Sequence, residues 1–209
     1  MKNRDYKYSY LPVKIKTSRL IRPKLEVLYP KVVGMKDLSI QRKINKDIYS
    51  LVQEMIRDQG YYENPMTVID ATYQIKNNQN RVLSLSLINY AYAGGAHGLT
   101  IVKSLTFDLN TGKSYQLKEL FKADSNYQER LSQIIAKDIV DRDIPILEEF
   151  EGIREDQDYY VADNTLVIYF QLYEITPYFY GLPCFPISVY EIKDIIDDSS
   201  PLGMILRCF

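Results

Sequence analysis

The chain has 209 residues, of which 46% are hydrophobic and 25% are charged, and its formal net charge is −1. This length and composition predict a globular protein with its own hydrophobic core, and they exclude a disordered chain. A net charge so close to zero argues against a general nucleic-acid binder, which would carry a basic face. We therefore expect a folded protein without a nucleic-acid partner.

Cysteine and histidine are too scarce for two common kinds of site. The two cysteines, Cys184 and Cys208, allow at most one disulfide, and the apolar neighbours of Cys184 favour a buried free thiol. His97 is the only histidine, so a Cys/His zinc site lacks ligands. No calcium-binding loop pattern is present. The sequence therefore predicts no metal and no cofactor.

The sequence shows no targeting or membrane-spanning pattern. Its N-terminus is polar and tyrosine-rich, without the apolar core of a signal peptide, and residues 1–12 are predicted to form an extended arm. No stretch approaches the roughly 20 apolar residues of a spanning helix. As written, the chain is expected to be cytoplasmic, and a chain whose export signal had been removed would look the same.

The first part of the chain predicts two strands and one long helix. Alternating apolar residues predict a strand over 13–20, and residues 25–30 predict a second strand that its final proline ends. Asp37 has the chemistry of a helix N-cap, and Gly60 is a natural stop. The apolar residues between them recur at helical spacing: Ile44, Ile48, Leu51, Val52, Met55 and Ile56. We therefore expect a helix over 38–59 whose apolar stripe packs on a sheet.

Residues 66–108 predict a meander of long strands. A strand over 66–76, a turn in the asparagine-rich 77–80 and an alternating strand over 82–90 make an antiparallel hairpin. A corner of small residues follows. A strand over 99–108 should then return beside 82–90.

The second half of the chain predicts shorter elements. A short helix is expected over 116–122, and a longer one begins at the capping-box pattern of 125–128. Residues 159–161 and 166–170 predict a hairpin, and 189–196 predict a small helix. This order of elements indicates an α+β fold, with helices packed on an antiparallel sheet.

The most unusual stretch is the corner at residues 90–99, which reads YAYAGGAHGL and holds three of the nine glycines. It is not a phosphate-binding loop, because the lysine and the Ser/Thr of that motif are absent. We predict that at least one of its glycines, Gly94, Gly95 or Gly98, has a positive φ. Two interpretations of His97 stay open. It orients the corner through a bond to the backbone, or it acts as a binding or acid/base residue.

Tyrosine is the other unusual feature, with 19 copies that often come in near-pairs such as Tyr90 with Tyr92 and Tyr178 with Tyr180. A large ring with a polar tip suits protein interfaces and stacking on sugars. The alternative is that these rings are half-buried sheet and loop residues. The acidic residues of 138–158 predict a solvated loop.

Several segments resemble two known families. Those similar to the DUF3298 domain are residues 92–98 (YAGGAHG), 106–112 (TFDLNTG), 117–121 (LKELF), 166–178 (LVIYFQLYEITPY), Gly181 and Pro186. Residues 10–90 resemble the companion module DUF4163, which is found in a peptidoglycan deacetylase of the PdaC type. The resemblance implies two sequential α/β modules in one compact unit, a DUF4163-like module over 10–90 and a DUF3298-like module over 91–198.

Such modules lie outside the bacterial membrane, in lysozyme-sensing anti-sigma factors of the RsiV type and beside cell-wall deacetylase domains. The resemblance therefore implies a non-enzymatic binding module of the cell envelope that recognises a protein, such as lysozyme, or a peptidoglycan or other glycan surface. Two alternatives stay open. One is a small hydrolase or glycan-modifying enzyme that uses His97 and carboxylates, and the other is a cytoplasmic regulatory protein of the same fold.

The binding surface is expected where the two family motifs meet in space. The residues predicted to form it are Tyr90, Tyr92, Gly94, Gly95, His97, Gly98, Tyr178 and Tyr180. On this hypothesis His97 orients the loop, and no residue is catalytic.

Overall fold

A computed structural model describes residues 11–207, so most of the predicted N-terminal arm and Cys208 lie outside the described residues. The elements in chain order are β1 (Lys14–Arg22), β2 (Leu25–Val33), α1 (Leu38–Asp58), β3 (Val68–Gln79), β4 (Val82–Tyr92), β5 (Leu99–Asp108), β6 (Lys113–Ser114), α2 (Tyr127–Asp141), β7 (Tyr159–Ala162), β8 (Thr165–Tyr169), β9 (Cys184–Ser188) and α3 (Pro201–Leu206). Short 3₁₀ turns cover Leu117–Leu120 and Tyr178–Tyr180. Within the described range this is the predicted α+β fold.

The strands form two sheets. The larger sheet has the order β1-β2-β3-β4-β5-β6, and the smaller one has the order β7-β8-β9. The predicted pairing of 82–90 with 99–108 is confirmed, since Leu85 lies opposite Leu105 and Tyr90 opposite Thr100. The prediction of a wholly antiparallel sheet is wrong at one place, because β2 and β3 are parallel. Parallel neighbours need a crossover connection, and α1 supplies it here.

Helix α1 packs on the larger sheet as its apolar stripe predicts. Asp37 caps the helix, because its Oδ1 accepts the N–H groups of Ser39 at 2.8 Å and Ile40 at 3.2 Å. Ile44, Ile48, Val52, Met55 and Ile56 are buried against apolar residues of β2 to β5, which together form the first core. Burial of each large side chain contributes about 1.5–3 kcal/mol, so the stripe fixes the helix on this face.

The second core lies under the smaller sheet. It joins α2, the strands β7 to β9, the 3₁₀ turn at 117–120 and α3. Helix α2 begins one residue later than the capping-box pattern predicts, because the N-cap is Asn126. The hydroxyl of Ser125 instead donates to the carbonyl of Lys122 at 2.6 Å.

A row of polar contacts, here called the seam, joins the two sheets. In β4 the leucines 83, 85 and 87 face the first core, whereas the hydroxyls of Ser84 and Ser86 on the opposite face bond to those of Thr106 and Ser104 in β5. The Oγ of Ser84 accepts the N–H of Val161 at 3.0 Å. The hydroxyls of Ser104 and Tyr169 are hydrogen-bonded at 2.8 Å. The Leu/Ser alternation of β4 therefore gives one apolar face and one polar docking face.

Two strands extend further than predicted. Strand β2 continues through Pro30, where β3 no longer pairs with it, so the proline has a strand neighbour on one side only and its missing N–H is tolerated. Strand β3 continues through Asn77 and Asn78, whose buried amides bond to backbone atoms of neighbouring segments. The turn lies instead at Asn80 and Arg81, with φ of 52° and 64°, as a two-residue hairpin requires.

The helix predicted over 189–196 is wrong. This segment forms turns and an isolated bridge from its last residue to Phe121. Backbone bonds to the segment around residue 121 thus take the place of helical ones. The final helix is α3, which begins after Ser200, whose Oγ accepts the N–H of Gly203 at 3.3 Å, with Pro201 at its first position.

Candidate functional site

The corner between β4 and β5 is a tight loop over residues 93–98. The prediction of a positive φ is confirmed for Gly94 at 96° and Gly95 at 103°. The loop is held from outside, because the hydroxyl of Tyr92 donates to the carbonyl of Gly95 at 2.9 Å. The side-chain amide of Asn64 donates to the carbonyl of Ala93 at 3.1 Å. The corner is therefore a defined structure that β-carbons would strain.

Gly98 is needed for a different reason, which is space. A β-carbon at this position would lie 2.4 Å from the Cζ of Tyr90 and 2.5 Å from the carbonyl oxygen of Ala91. Its φ is outside the left-handed region. Backbone and a tyrosine ring thus approach each other closely at Gly98.

The corner brings His97 against two tyrosines from the second half of the chain. The imidazole stacks on Tyr178 with ring centroids 4.3 Å apart and planes 25° apart. Tyr178 stacks in turn on Tyr173 at 5.5 Å and 29°. We call these three rings the aromatic cluster. Tyr173 is 50% exposed and Tyr178 is 37% exposed, so the cluster presents ring surface to solvent.

Hydrogen bonds fix the orientation of the His97 ring. Its Nδ1 lies 3.0 Å from the carbonyl oxygen of Gly98. A carbonyl only accepts, so Nδ1 carries the proton and, in the neutral ring, Nε2 is the acceptor. Nε2 lies 3.4 Å from the hydroxyl of Tyr173, which then donates. The hydroxyl of Tyr178 also donates to Gly98, at 3.4 Å. His97 therefore ties the corner to both tyrosines.

Tyr173 is a site residue that the sequence reasoning did not select, although it lies in the quoted motif of residues 166–178. Its φ is 66°, which is uncommon for a residue with a bulky side chain. Such conformations cost energy and concentrate at functional sites. The strained backbone and the stacked, exposed ring together make Tyr173 a candidate site residue.

An exposed apolar strip continues from the corner onto the larger sheet. Tyr92 lies opposite Val68 at the ends of β4 and β3, and Tyr90 lies two residues earlier in β4, on the same face. Met66 also reaches the corner, because a β-carbon on Gly94 would lie 3.2 Å from its terminal methyl group. All four side chains are exposed, as is Phe179 beside the aromatic cluster. Contiguous exposed apolar surface of this kind marks interaction sites.

Of the predicted binding residues, Tyr180 lies apart. Its side chain is half-buried and packs against the second core. In the same turn Tyr178 is 37% exposed and Phe179 is 80% exposed, whereas Tyr180 is half-buried. The structure thus brings Tyr90, Tyr92, the corner glycines, His97 and Tyr178 to one region, and it leaves Tyr180 as a packing residue.

An open cavity of about 500 Å³ adjoins Tyr173. Its lining includes part of the acidic segment that the sequence predicts as a loop, and three aromatic rings lie in it. The lining residues are 147–152, Arg154, Gln157, Phe170 and 173–175. The guanidinium of Arg154 is paired with Asp156 at 3.1 Å and with Glu174. These bonds, especially the one to Glu174, raise the pKa of Arg154 against the opposing effect of its partial burial.

Residues 11–207 were also compared with what a metal site, a reactive thiol or a membrane-spanning helix requires. No three His, Cys, Asp or Glu side chains of residues 11–207 are grouped so as to hold a metal ion. Cys184 is a half-buried free thiol, and burial raises its pKa. A helix with the length and hydropathy to span a bilayer does not occur in the same range.

Two family models match separate parts of the chain. Residues 22–100 match the family described as deacetylase PdaC, and residues 118–190 match a protein family of unknown function, DUF3298. The chain therefore carries a PdaC-type domain and a DUF3298 domain, as the resemblance implies. The corner with His97, whose motif the resemblance assigns to the DUF3298-like module, lies in the PdaC match, and Tyr173 and Tyr178 lie in the DUF3298 match. The aromatic cluster forms where the two matched regions meet.

The comparisons with individual proteins agree with these matches. The chain is 23% identical over 169 residues to peptidoglycan-N-acetylmuramic acid deacetylase PdaC of Bacillus subtilis (strain 168); the match covers 78% of this chain and 36% of that protein. A DUF3298 family structure from Bacteroides fragilis NCTC 9343 superposes with a TM-score of 0.69 at 14% identity, covering 93% of this chain and 97% of that one. A second DUF3298 family structure, from Pseudomonas aeruginosa PAO1, superposes with a TM-score of 0.65 at 13% identity, covering 90% of this chain and 95% of that one. The structural likeness shows a shared fold.

Proposed function

We propose that this protein is a non-enzymatic binding module of the bacterial cell envelope that binds a glycan strand of peptidoglycan. The observation that carries the proposal is the stack of His97, Tyr178 and Tyr173, which is exposed and lies at the corner that Tyr92 and Tyr90 also contact. The similarity to a peptidoglycan deacetylase supports the choice of peptidoglycan.

The chemistry of the surface fits a carbohydrate. One face of a pyranose ring presents C–H groups, which pack on an aromatic ring, while the sugar hydroxyl and amide groups point outward. The site offers both kinds of partner, since the rings of the aromatic cluster lie beside hydroxyl groups and the exposed backbone of Gly94 and Gly95. Tyrosine side chains also lose little conformational entropy on binding.

The contacts of His97 support an orienting role over an acid/base role. Nδ1 faces the carbonyl of Gly98 and Nε2 faces the hydroxyl of Tyr173, so both ring nitrogens have partners within the protein. A general base needs a nitrogen within hydrogen-bond reach of the proton it removes. The ring also lies flat against Tyr178, where it contributes stacking area.

The test measures binding and turnover in one set of incubations. Purified glycan fragments of peptidoglycan are titrated calorimetrically into the wild type, Tyr178→Ala and the matched control Tyr190→Ala, which replaces an exposed tyrosine outside the site. Loss of a stacked ring is worth about 0.5–1.5 kcal/mol beyond its buried area, so Tyr178→Ala should bind at least about tenfold more weakly. The control should bind as the wild type does.

Mass spectrometry of the same samples distinguishes a binder from an enzyme. A binder leaves the fragments unchanged, and His97→Ala weakens affinity by about 1 kcal/mol, the worth of one hydrogen bond. Turnover that disappears in His97→Ala would overturn the proposal in favour of an enzyme. Equal affinity of Tyr178→Ala and Tyr190→Ala would remove the aromatic cluster from the binding surface. Binding to lysozyme in place of glycan would make the ligand a protein.

A further inference from the structure

Gln171 connects the two halves of the binding surface through its side-chain amide. Its Oε1 accepts the N–H of Val102 at 3.1 Å, and its Nε2 donates to the carbonyl of Val102 at 2.6 Å. Val102 lies in β5 beyond the reach of β6, which pairs only with residues 107 and 108. The amide therefore takes the place that a neighbouring strand would occupy on this edge.

The same residue fixes the turn that carries Tyr173. The backbone N–H of Gln171 donates to a carboxylate oxygen of Glu174 at 2.6 Å. The N–H of Glu174 donates back to the carbonyl of Gln171 at 3.1 Å. Tyr173 lies inside this closed turn with its φ of 66°. The direction of the Tyr173 ring is thus set by a turn whose first residue is anchored on β5.

A buried carboxylate strengthens the anchor. The Nε2 of Gln171 also donates to Asp158 at 2.8 Å, and Asp158 pairs with Lys103 at 2.9 Å. The Asp158 side chain is only 9% exposed and is held by both Lys103 and Gln171, so the loss of either contact costs more than it would at an exposed carboxylate. Lys103 and Val102 are adjacent in β5, a few residues after the corner that holds His97.

From these contacts we propose that Gln171 is a positioning residue: it sets Tyr173 and Tyr178 against His97 and thereby determines the affinity of the surface for glycan. The glycan part of this inference rests on the proposed function, whereas the positioning part concerns the free protein. Gln171 itself does not contact the ligand. The surface is bipartite, since His97 comes from the PdaC-type range and both tyrosines come from the DUF3298 range.

The variant Gln171→Glu tests the inference with little change in shape. The new carboxylate has no N–H, so it turns an acceptor toward the carbonyl of Val102 and the carboxylate of Asp158. The matched control is Gln79→Glu, which changes an exposed glutamine at the far end of β3, opposite Val82. We expect the anchored turn to loosen in the first variant only.

The single histidine supplies the readout. Its ring protons give one set of NMR signals, and the ring currents of Tyr178 shift them because the two rings stack. In Gln171→Glu these signals should move toward the positions of an unstacked histidine, and affinity for the glycan fragments should fall about tenfold. Gln79→Glu should leave both unchanged. A purely structural role would lower stability without moving the His97 signals in the folded protein.

A measurement on the wild type covers the case in which Gln171→Glu does not fold. The amide of Val102 should exchange with solvent more slowly than those of Thr100 and Ser104, which face the same edge by the alternation of the strand. Equal exchange at the three amides, or unchanged His97 signals in folded Gln171→Glu, would overturn the positioning role. Shifted His97 signals in a protein whose wild type binds no glycan would sustain the positioning role and refute the proposed function.

Discussion

Replacement of Gly98 by alanine should cost more stability than replacement of a glycine that has room around it. The added β-carbon would lie 2.4 Å from the Cζ of Tyr90, 2.5 Å from its Cε2 and 2.5 Å from the carbonyl oxygen of Ala91. The tyrosine ring can turn away, but the carbonyl cannot. It belongs to β4, where Ala91 pairs with Leu99 next to the glycine itself.

The expected loss of stability in Gly98→Ala follows from the clash with a backbone carbonyl that cannot move. Overpacking typically costs about 1–3 kcal/mol, and a clash with fixed backbone places Gly98→Ala near the upper end, at about 3 kcal/mol. The comparison variant is Gly34→Ala, because Gly34 has a φ of 74° and no atom within 4 Å of its missing β-carbon. Strain of the left-handed conformation alone should cost that variant about 1 kcal/mol.

Urea unfolding followed by far-ultraviolet circular dichroism measures both variants. We expect Gly98→Ala to be the less stable by about 2 kcal/mol, which corresponds to a difference in Tm of about 4–8 °C for a chain of this size. Equal stability, or a greater loss in Gly34→Ala, would show that the corner accommodates a methyl group and that the close-approach argument is wrong.

Three further predictions concern a tyrosine of the seam, the first core and the corner. Burial, and secondarily the charge of Asp158, raises the pKa of Tyr169. The stability that the neutral Tyr169 side chain contributes is therefore present below about pH 10 and is lost as the pH rises further. Between about pH 8 and pH 11 the Tm should fall less steeply in Tyr169→Phe than in the wild type, and equal slopes would contradict this. Ile48→Ala, in the first core, should lower the free energy of unfolding in urea by about 3 kcal/mol. Val140→Ala, whose side chain is 78% exposed, should lower it by less than about 0.5 kcal/mol. Similar losses in the two variants would show that α1 does not pack on the first core. Tyr92→Phe removes the hydroxyl bond to the corner and should cost about 1 kcal/mol by the same assay, whereas no loss relative to Tyr190→Phe would show that this bond does not hold the loop.

Much of the fold follows from local patterns. The Leu/Ser alternation of β4 assigns one face to a core and the other to polar contacts before any partner is known. The cap at Asp37 and the stripe from Ile44 to Ile56 likewise determine α1 within its own sequence. These elements are predictable because hydrogen bonds to near neighbours and a strict period in hydrophobicity specify them.

The errors lie where distant contacts outweigh local preference. Residues 189–196 have an acceptable helical pattern, yet bonds to the segment around Phe121 hold them as turns. Asn77 and Asn78 have turn chemistry, yet their amides find backbone partners within the sheet, so β3 continues through them. Local propensity is a weak preference that a few tertiary hydrogen bonds exceed.

By itself the sequence determined an α+β protein with a glycine-histidine corner and an excess of tyrosine, and its family resemblance indicated that the two motifs are neighbours. Only the tertiary structure brings Tyr173 against His97 and Tyr178, packs Tyr180 against the second core, and anchors the turn that carries Tyr173 through Gln171. The reason is physical: the bonds from Gln171 to Val102 join residues 69 positions apart. Neither residue carries a local pattern that reveals such a contact, because it exists only once β5 has an open edge and the second half of the chain packs beside it.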